Sequence, residues 1–339
     1  CVKACDFDND GDQDLFVGGR QEPGKYPYPT SSHLLINDNG NLVNATADLA
    51  PEFINLGMVT DALWNDFDGD KDEDLILVGE WMRITIFTNT GGKLTKATQE
   101  LGLGNTSGWW NTIELADIDG DGDQDLIAGN LGKNIKYQAS TEEPFKVYSY
   151  DFDNNGSNDI VLSYYQQGKC FPVRGRQCSS QQMPFIKKKF PTYHAFASAT
   201  VEQVYSENID KALMLQANNF SSLYLENDGG KFKASPLPVE AQFSTVQGIV
   251  THDVNGDGHL DVVVAGNFYQ REVETTRSDA SIGYVFLGDG EGNFQTLRAT
   301  DAGLSLNQDV RDLELIKTPK GLKLLGLVNG GVSQFYSLD

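Results

Sequence analysis

The chain has 339 residues, 48 of them acidic and 26 basic, and a formal charge of -22. That balance, with no dominant basic stripe, argues against nucleic acid as a partner. No run of 18 or more apolar residues exists and no signal peptide is visible, so there is no membrane-spanning helix to read from the sequence.

In chain order the dominant feature is an acidic nonapeptide that recurs five times, at 6–14, 66–74, 117–125, 151–159 and 253–261. The first copy is Asp6-Phe7-Asp8-Asn9-Asp10-Gly11-Asp12-Gln13-Asp14. Oxygen-bearing side chains at positions 1, 3, 5 and 9, with a backbone carbonyl at position 7, can converge in a tight turn on one hard cation. Ca²⁺ accepts six to eight oxygens in a flexible shell, whereas Mg²⁺ holds a stricter octahedron and keeps its waters, so a dense carboxylate cage favours calcium. Nearly half of the acidic residues lie in these loops, which makes the charge mostly a metal signature.

Each loop runs directly into a short apolar segment: Leu15 to Gly19, Leu75 to Gly79, Leu126 to Gly129, Ile160 to Leu162 and Val262 to Gly266. An EF-hand would place Glu at position 12 and continue as a helix. Here the β-branched runs closed by glycine predict strands buried on both faces, so the loop joins two strands. Around the second loop, Met58 to Trp64, Asp74 to Gly79, Arg83 to Phe87 and Gly92 to Ala97 make one four-stranded unit, with Asn89-Thr90-Gly91 as a turn signal. The units carrying the first and fifth loops match it. Four-stranded sheets repeated radially are the propeller plan.

The sequence therefore predicts an all-β fold, a single calcium-loop β-propeller over 1–339. Second strands near Leu15, Leu75, Leu126, Ile160, Ala212, Val262 and Leu322 give seven blades, at approximately 1–52, 53–105, 106–141, 142–175, 208–238, 239–304 and 305–339. A mainly non-β insertion at 176–207 contains a short helix from about Pro191 to Tyr205. Six blades are the alternative, with 160–230 as one blade split by an insertion, because Ser221 to Asp228 echoes Ser31 to Asp38; the interval from Asp117 to Asp151 is also too short for four strands. The last unit lacks an outermost strand, expected from residues upstream of Cys1.

Cys1 and Cys5 lie about 13 Å apart in one strand, too far to bridge. Cys170 and Cys178 either close a small loop or are two buried thiols. Consecutive Trp109 and Trp110 point to opposite faces of a strand, which sends one to the core.

The pattern Asp-x-Asp-x-(Asp/Asn)-Gly-x-x-Asp, followed by an apolar run and Gly, resembles the FG-GAP or VCBS repeat family, which includes the integrin α-chain propeller and bacterial surface proteins related to cartilage acidic protein. The resemblance spans nearly the whole chain and is closer to the bacterial type, since literal Phe-Gly and Gly-Ala-Pro elements are replaced by Val17-Gly18-Gly19 or Ala265-Gly266-Asn267. It implies a seven-bladed propeller with calcium between the first two strands of a blade and ligands on the opposite face. The implied calcium ligands are Asp6, Asp8, Asp10 and Asp14; Asp66, Asp68, Asp70 and Asp74; Asp117, Asp119, Asp121 and Asp125; Asp151, Asp153, Asn155 and Asp159; and Asp253, Asn255, Asp257 and Asp261. Position 7 adds the carbonyls of Asp12, Asp72, Asp123, Ser157 and His259. That is up to five ions, with the second site weakened by Lys71 where the other copies have glycine, because a side chain at positive φ costs about 1 kcal/mol.

Two regions are candidate partner surfaces. Residues 161–201 contain Lys169, Arg174, Arg176, Lys187, Lys188 and Lys189 and no acid, either a dock for an anionic partner or a solvated counter-charge. Loops after the second strands offer Arg20, Tyr26, Tyr28, Trp81, Lys133, Tyr269, Arg271 and Arg277, and aromatics interleaved with arginines suit glycan or protein recognition. Enzyme motifs are absent: His33, His194, His252 and His259 form no zinc-protease pattern, and no nucleophile elbow, P-loop or dinucleotide fingerprint occurs. The expectation is a non-enzymatic calcium-binding propeller, extracellular or at the cell surface, of the bacterial outer-membrane-associated kind or part of a larger assembly, binding protein or glycan. Extracellular loops of this class bind calcium at roughly 10⁻⁴ to 10⁻³ M, saturated only outside the cell. The alternative is a calcium-dependent polysaccharide lyase with His194, beside Tyr193, as its base.

Overall fold

The computed structural model describes residues 1–271 and 275–338. They form antiparallel sheets with a few short helices, and no helix is long and apolar enough to cross a membrane. Five sheets are radial. The first holds Val2–Cys5, Asp14–Val17, His33–Asp38 and Asn41–Asn44. The second holds Met58–Asn65, Asp74–Met82, Thr85–Asn89 and Leu94–Lys96, with Gly108–Trp109 added against the far end of its second strand. The third is Thr112–Ala116, Asp125–Gly129, Leu223–Asn227 and Phe232–Pro236. The fourth is Gly248–His252, Asp261–Ala265, Tyr284–Gly288 and Phe294–Thr296; the fifth has three strands, Val310–Thr318, Gly321–Val328 and Gln334–Ser337.

The first strands of these sheets neighbour one another in sequence order and line a shared channel of about 470 Å³, a propeller-like arrangement. Between consecutive sheets lie four apolar cores, centred on Phe16 and Phe53, on Ile76 and Leu126, on Ile127 and Val262, and on Val263 and Leu313. Every residue of Asp125–Gly129 and Asp261–Ala265 is buried, as a strand flanked by two other sheets must be. The glycine closing the run has a packing reason: a Cβ on Gly129 would stand 2.9 Å from the Val246 carbonyl oxygen.

The sheets divide the middle of the chain differently from the expected blades at 142–175 and 208–238. Phe145–Tyr150, Asp159–Gln166, Lys169–Pro172 and Leu213–Ala217 form one sheet, in the order 169–172, 159–166, 145–150, 213–217. It interrupts the third radial sheet between its second and third strands. Leu213–Ala217, read from sequence as a second strand, is an edge strand, and Ser221 to Asp228 supplies the third strand of the interrupted sheet. The described residues thus form six sheets, five radial and one inserted, where seven blades were expected.

Helices Arg176–Gln182, Phe185–Lys189, Tyr193–Ala197 and Val201–Tyr205 pack on the inserted sheet around Phe152, Ile186 and Val204. The single helix expected from Pro191 to Tyr205 is two, each started by a threonine: Thr192 accepts from the Ala195 N–H, and Thr200 forms a capping box with Gln203. None of the four cysteines forms a disulfide among the described residues, so Cys170 and Cys178 are not bridged to each other. Trp110 is core, while Trp109 faces the inserted sheet.

Candidate functional site: acidic hairpin loops and the opposite face

Each acidic loop is wound by its own side chains. In the first, Asp6 Oδ2 accepts from the Gly11 N–H (3.1 Å), Asp8 Oδ1 from Asp10 (3.3 Å) and Asp10 Oδ1 from Asp12 (2.9 Å). Asp66, Asp68 and Asp70 repeat the pattern, as do Asp117, Asp119 and Asp121. In the fourth loop Asp151 accepts from Asn155 and Gly156, and Asn155 from Ser157. In the fifth, Asp253 accepts from Gly256 and Gly258, and Asn255 and Asp257 accept from Asp257 and His259. The turn needs left-handed residues at positions 4 and 6. Asn9 and Asn154 serve at position 4, where asparagine tolerates that conformation. At position 6 Lys71 takes φ 79°, bearing the strain expected of it.

The ninth residue has a second task that the motif did not reveal. Asp14, Asp74, Asp125, Asp159 and Asp261 open the second strands and are buried. Asp125 accepts from the Ile118 N–H (3.1 Å), the Asn227 N–H on the third strand (2.8 Å) and the Tyr224 hydroxyl (2.8 Å). Asp14, Asp74 and Asp261 likewise join the loop N–H at position 2 to the third strand, through Phe7 and Asn37, Phe67 and Asn89, and Val254 and Gly288. The carboxylate is therefore a hairpin-to-strand staple as well as a prospective ligand. Burial pushes the Asp74 carboxyl up to about 6 and raises Asp125, Asp159 and Asp261 in the same direction.

The donor sets fit a hard cation. Carboxylate oxygens of Asp6, Asp8 and Asp10 lie within 4.8 Å of one another, as do those of Asp66, Asp68 and Asp70, of Asp117, Asp119 and Asp121, and of Asp151, Asp153 and Asp159. The fifth loop places Asn255 between Asp253 and Asp257, with the Asn255 amide donating to Asp257 (2.8 Å). Burial, reinforced by neighbouring carboxylates, raises Asp8, Asp68 and Asp119 above the usual carboxylate range. Asp257 is lowered by the His259 N–H instead. Oδ1 of Asp6 and Oδ1 of Asp153 are buried and accept no hydrogen bond. A buried anionic oxygen without a partner is costly unless a cation meets it.

Contacts join the first loop to the second sheet on one rim: Asn9 donates to Asp72 of the second loop (3.1 Å), and Asn89, at the end of the third strand, donates to the Phe7 carbonyl (3.3 Å). The fourth loop belongs to the inserted sheet, and Asn158 donates to the hydroxyl of Tyr28 (3.2 Å), in the connection after the second strand of the first sheet. It stands with the loops of the other face.

On that face the candidate residues separate into groups. Trp81 is covered by the inserted sheet: its ring stacks on Phe145 (5.9 Å), meets Trp109 edge-on (4.9 Å) and donates from Nε1 to Tyr26, so its place is in packing and not on a free surface. Arg20 pairs with Glu80, which also accepts from Tyr26 (2.6 Å). Arg277 lies over the Tyr269 ring at 3.9 Å. Arg271 lines a cavity with Trp109, Tyr137 and Phe268.

The basic island is not one patch of available charge. Arg176 donates to the Phe190 carbonyl (2.6 Å) and Lys189 to the Val204 carbonyl (2.9 Å), tying helices together. Lys169, Lys187 and Lys188 are exposed, and Arg174 lines the cavity of Arg271. His194 and Tyr193 are exposed on their helix, and neither lines the cavity that holds Arg174 and Arg271.

Fold and loops together define an all-β, propeller-like repeat protein with acidic loops at the turn between first and second strands. Residues 66–128, which carry the second and third acidic loops, match the FG-GAP-like repeat family. Among curated proteins none matches. Solved structures also match, among them two with low identity and low TM-score. One is an Agrocybe aegerita lectin described by its recognition of non-reducing terminal N-acetylglucosamine, at 14% identity and TM-score 0.34 over 100% of this chain and 80% of that one. The other is the V. cholerae biofilm matrix protein Bap1, at 14% identity and TM-score 0.31 over 86% of this chain and 38% of that one.

Proposed function

We propose that this chain is a calcium-binding propeller that works outside the cell or at its surface as a binding or scaffold module for protein or glycan. The observation that carries the reading is the repeated convergence of three carboxylates within 4.8 Å in four loops, two of which hold a buried oxygen with no protein partner. Calcium supplies the missing positive charge and clamps each hairpin to its sheet. The side chains named above would hold it, with the position 7 carbonyls completing the oxygen shell. Extracellular calcium favours this chemistry, because sites of this class fill at roughly 10⁻⁴ to 10⁻³ M. The face away from the first and second loops is the recognition surface, with its aromatic and arginine side chains.

The test is thermal unfolding of the full chain with millimolar calcium and with a chelator. Each site should contribute about 1.4 to 2.7 kcal/mol at ten- to hundredfold saturation. Identical melting in both conditions would overturn the calcium reading.

A further inference from the structure

The inserted sheet and the face of the radial sheets enclose a cavity of about 500 Å³, within the size range of small-molecule sites. Its wall carries Trp109 and Tyr137, whose rings meet edge-on at 6.1 Å, together with Phe268, Ile160 and Leu162. Gln182, whose amide also donates to Asp159, and Gln270 place amide groups in the same lining, able to donate to and accept from hydroxyls.

The charges in this wall are unequal in their partners. Glu80 is satisfied by Arg20 and by the Tyr26 hydroxyl. Among the described residues Arg271 donates to the Thr245 hydroxyl, 3.0 Å from Nη2, and its guanidinium lies 5.4 Å from the Phe268 ring centre. Its Nε is buried without a hydrogen-bond partner, and no carboxylate among the described residues pairs with it. Trp109 Nε1 is a second buried donor left unpaired. Burial lowers the Arg271 pKa, yet a guanidinium remains charged at any physiological pH. A mostly buried cation with no counter-ion among the described residues is costly to hold, and an anionic ligand would relieve that cost.

We infer that this cavity takes a carboxylate-bearing sugar ring of an acidic glycan, with the carboxylate on Arg271 and the apolar face of the ring against Trp109 and Tyr137. The planar guanidinium fits a carboxylate in two-point contact, and the corner formed by the two edge-on rings offers one ring face for the apolar side of a pyranose. The two glutamines distinguish a hydroxylated ring from a plain aliphatic acid. This inference rests on the binding-module reading and specifies its ligand class.

The test uses the full chain in saturating calcium, titrated with the methyl glycoside of glucuronic acid, the corresponding neutral glucoside and a glutamate-containing tripeptide, followed by tryptophan fluorescence and calorimetry. Glucuronoside should bind at least tenfold more tightly than glucoside or peptide. Arg271→Gln should reduce that binding at least tenfold while leaving the calcium-induced shift in melting temperature intact. Trp109→Phe should weaken binding without abolishing the preference for the acid. Equal binding of acidic and neutral sugars, binding of the peptide alone, or undiminished binding by Arg271→Gln would overturn the inference. A normal calcium shift alongside a failed glucuronoside titration would sink this inference and leave the calcium module standing.

Discussion

The Asn158 amide donates to the Tyr28 hydroxyl across 3.2 Å, and this contact joins the fourth acidic loop to the face opposite the first two. The reason is topological. First-to-second strand turns lie on one rim and second-to-third connections on the other, so a sheet inserted after Gly129 grows out of the second rim and carries its own loop there.

That placement predicts a local effect. Asp153→Asn should remove one calcium ion and raise amide exchange across 145–217 while leaving 2–44 unchanged. Hydrogen exchange read by mass spectrometry checks this; loss of protection spread evenly over the chain would contradict it.

The ninth-position staple predicts destabilisation that does not depend on metal. Asp125→Ala leaves the Ile118 and Asn227 N–H groups and the Tyr224 hydroxyl without their acceptor, at a cost of about 3 kcal/mol or more. Tyr224→Phe should cost about 1 kcal/mol. Denaturant unfolding in excess chelator measures both, and a full return of Asp125→Ala to wild-type stability without calcium would show that the carboxylate is only a ligand.

Lys71→Gly relieves a side chain at φ 79°. It should stabilise the second hairpin by about 1 kcal/mol and tighten calcium at that loop, read by melting and by calcium titration.

Much of this was legible in the sequence because one short motif fixes three things at once: a turn, the start of a strand and the burial of that strand on both faces. The third sheet was misdivided because its second and third strands are separated by residues 130–222, which bring a metal-type loop of their own, and the echo of Ser31 to Asp38 in Ser221 to Asp228 was the signal that tied them. Trp81 read as a surface aromatic because nothing local announces that Phe145 will cover it. The staple role of Asp125 was hidden for a different reason: a ligand and a buried hydrogen-bond acceptor call for the same residue. The fate of Arg176 and Lys189, spent on helix carbonyls, depends on tertiary placement that a charge count cannot supply.

The channel adds a pH dependence. Burial, with Asp61 as the next cause and with Glu314 and Asp312 also nearby, pushes Glu114 up to about 7, while Lys3 opposes the shift. The folded chain therefore holds this proton more tightly than the unfolded chain, whose glutamate titrates near 4.5. The contribution to stability is complete below that lower value and is lost as pH rises through about 7. Glu114→Gln should melt higher than wild type at pH 8, by the equivalent of about 2 to 3 kcal/mol, and the difference should close near pH 5. A constant difference across that range would contradict the assignment.

Calcium stoichiometry tests the central claim most directly. After equilibrium dialysis of the full chain against millimolar calcium, elemental analysis should find about five ions per chain, and chelation should remove them with a fall in melting temperature of about 10 °C or more. A metal-free chain under those conditions, with unchanged melting, would contradict the account.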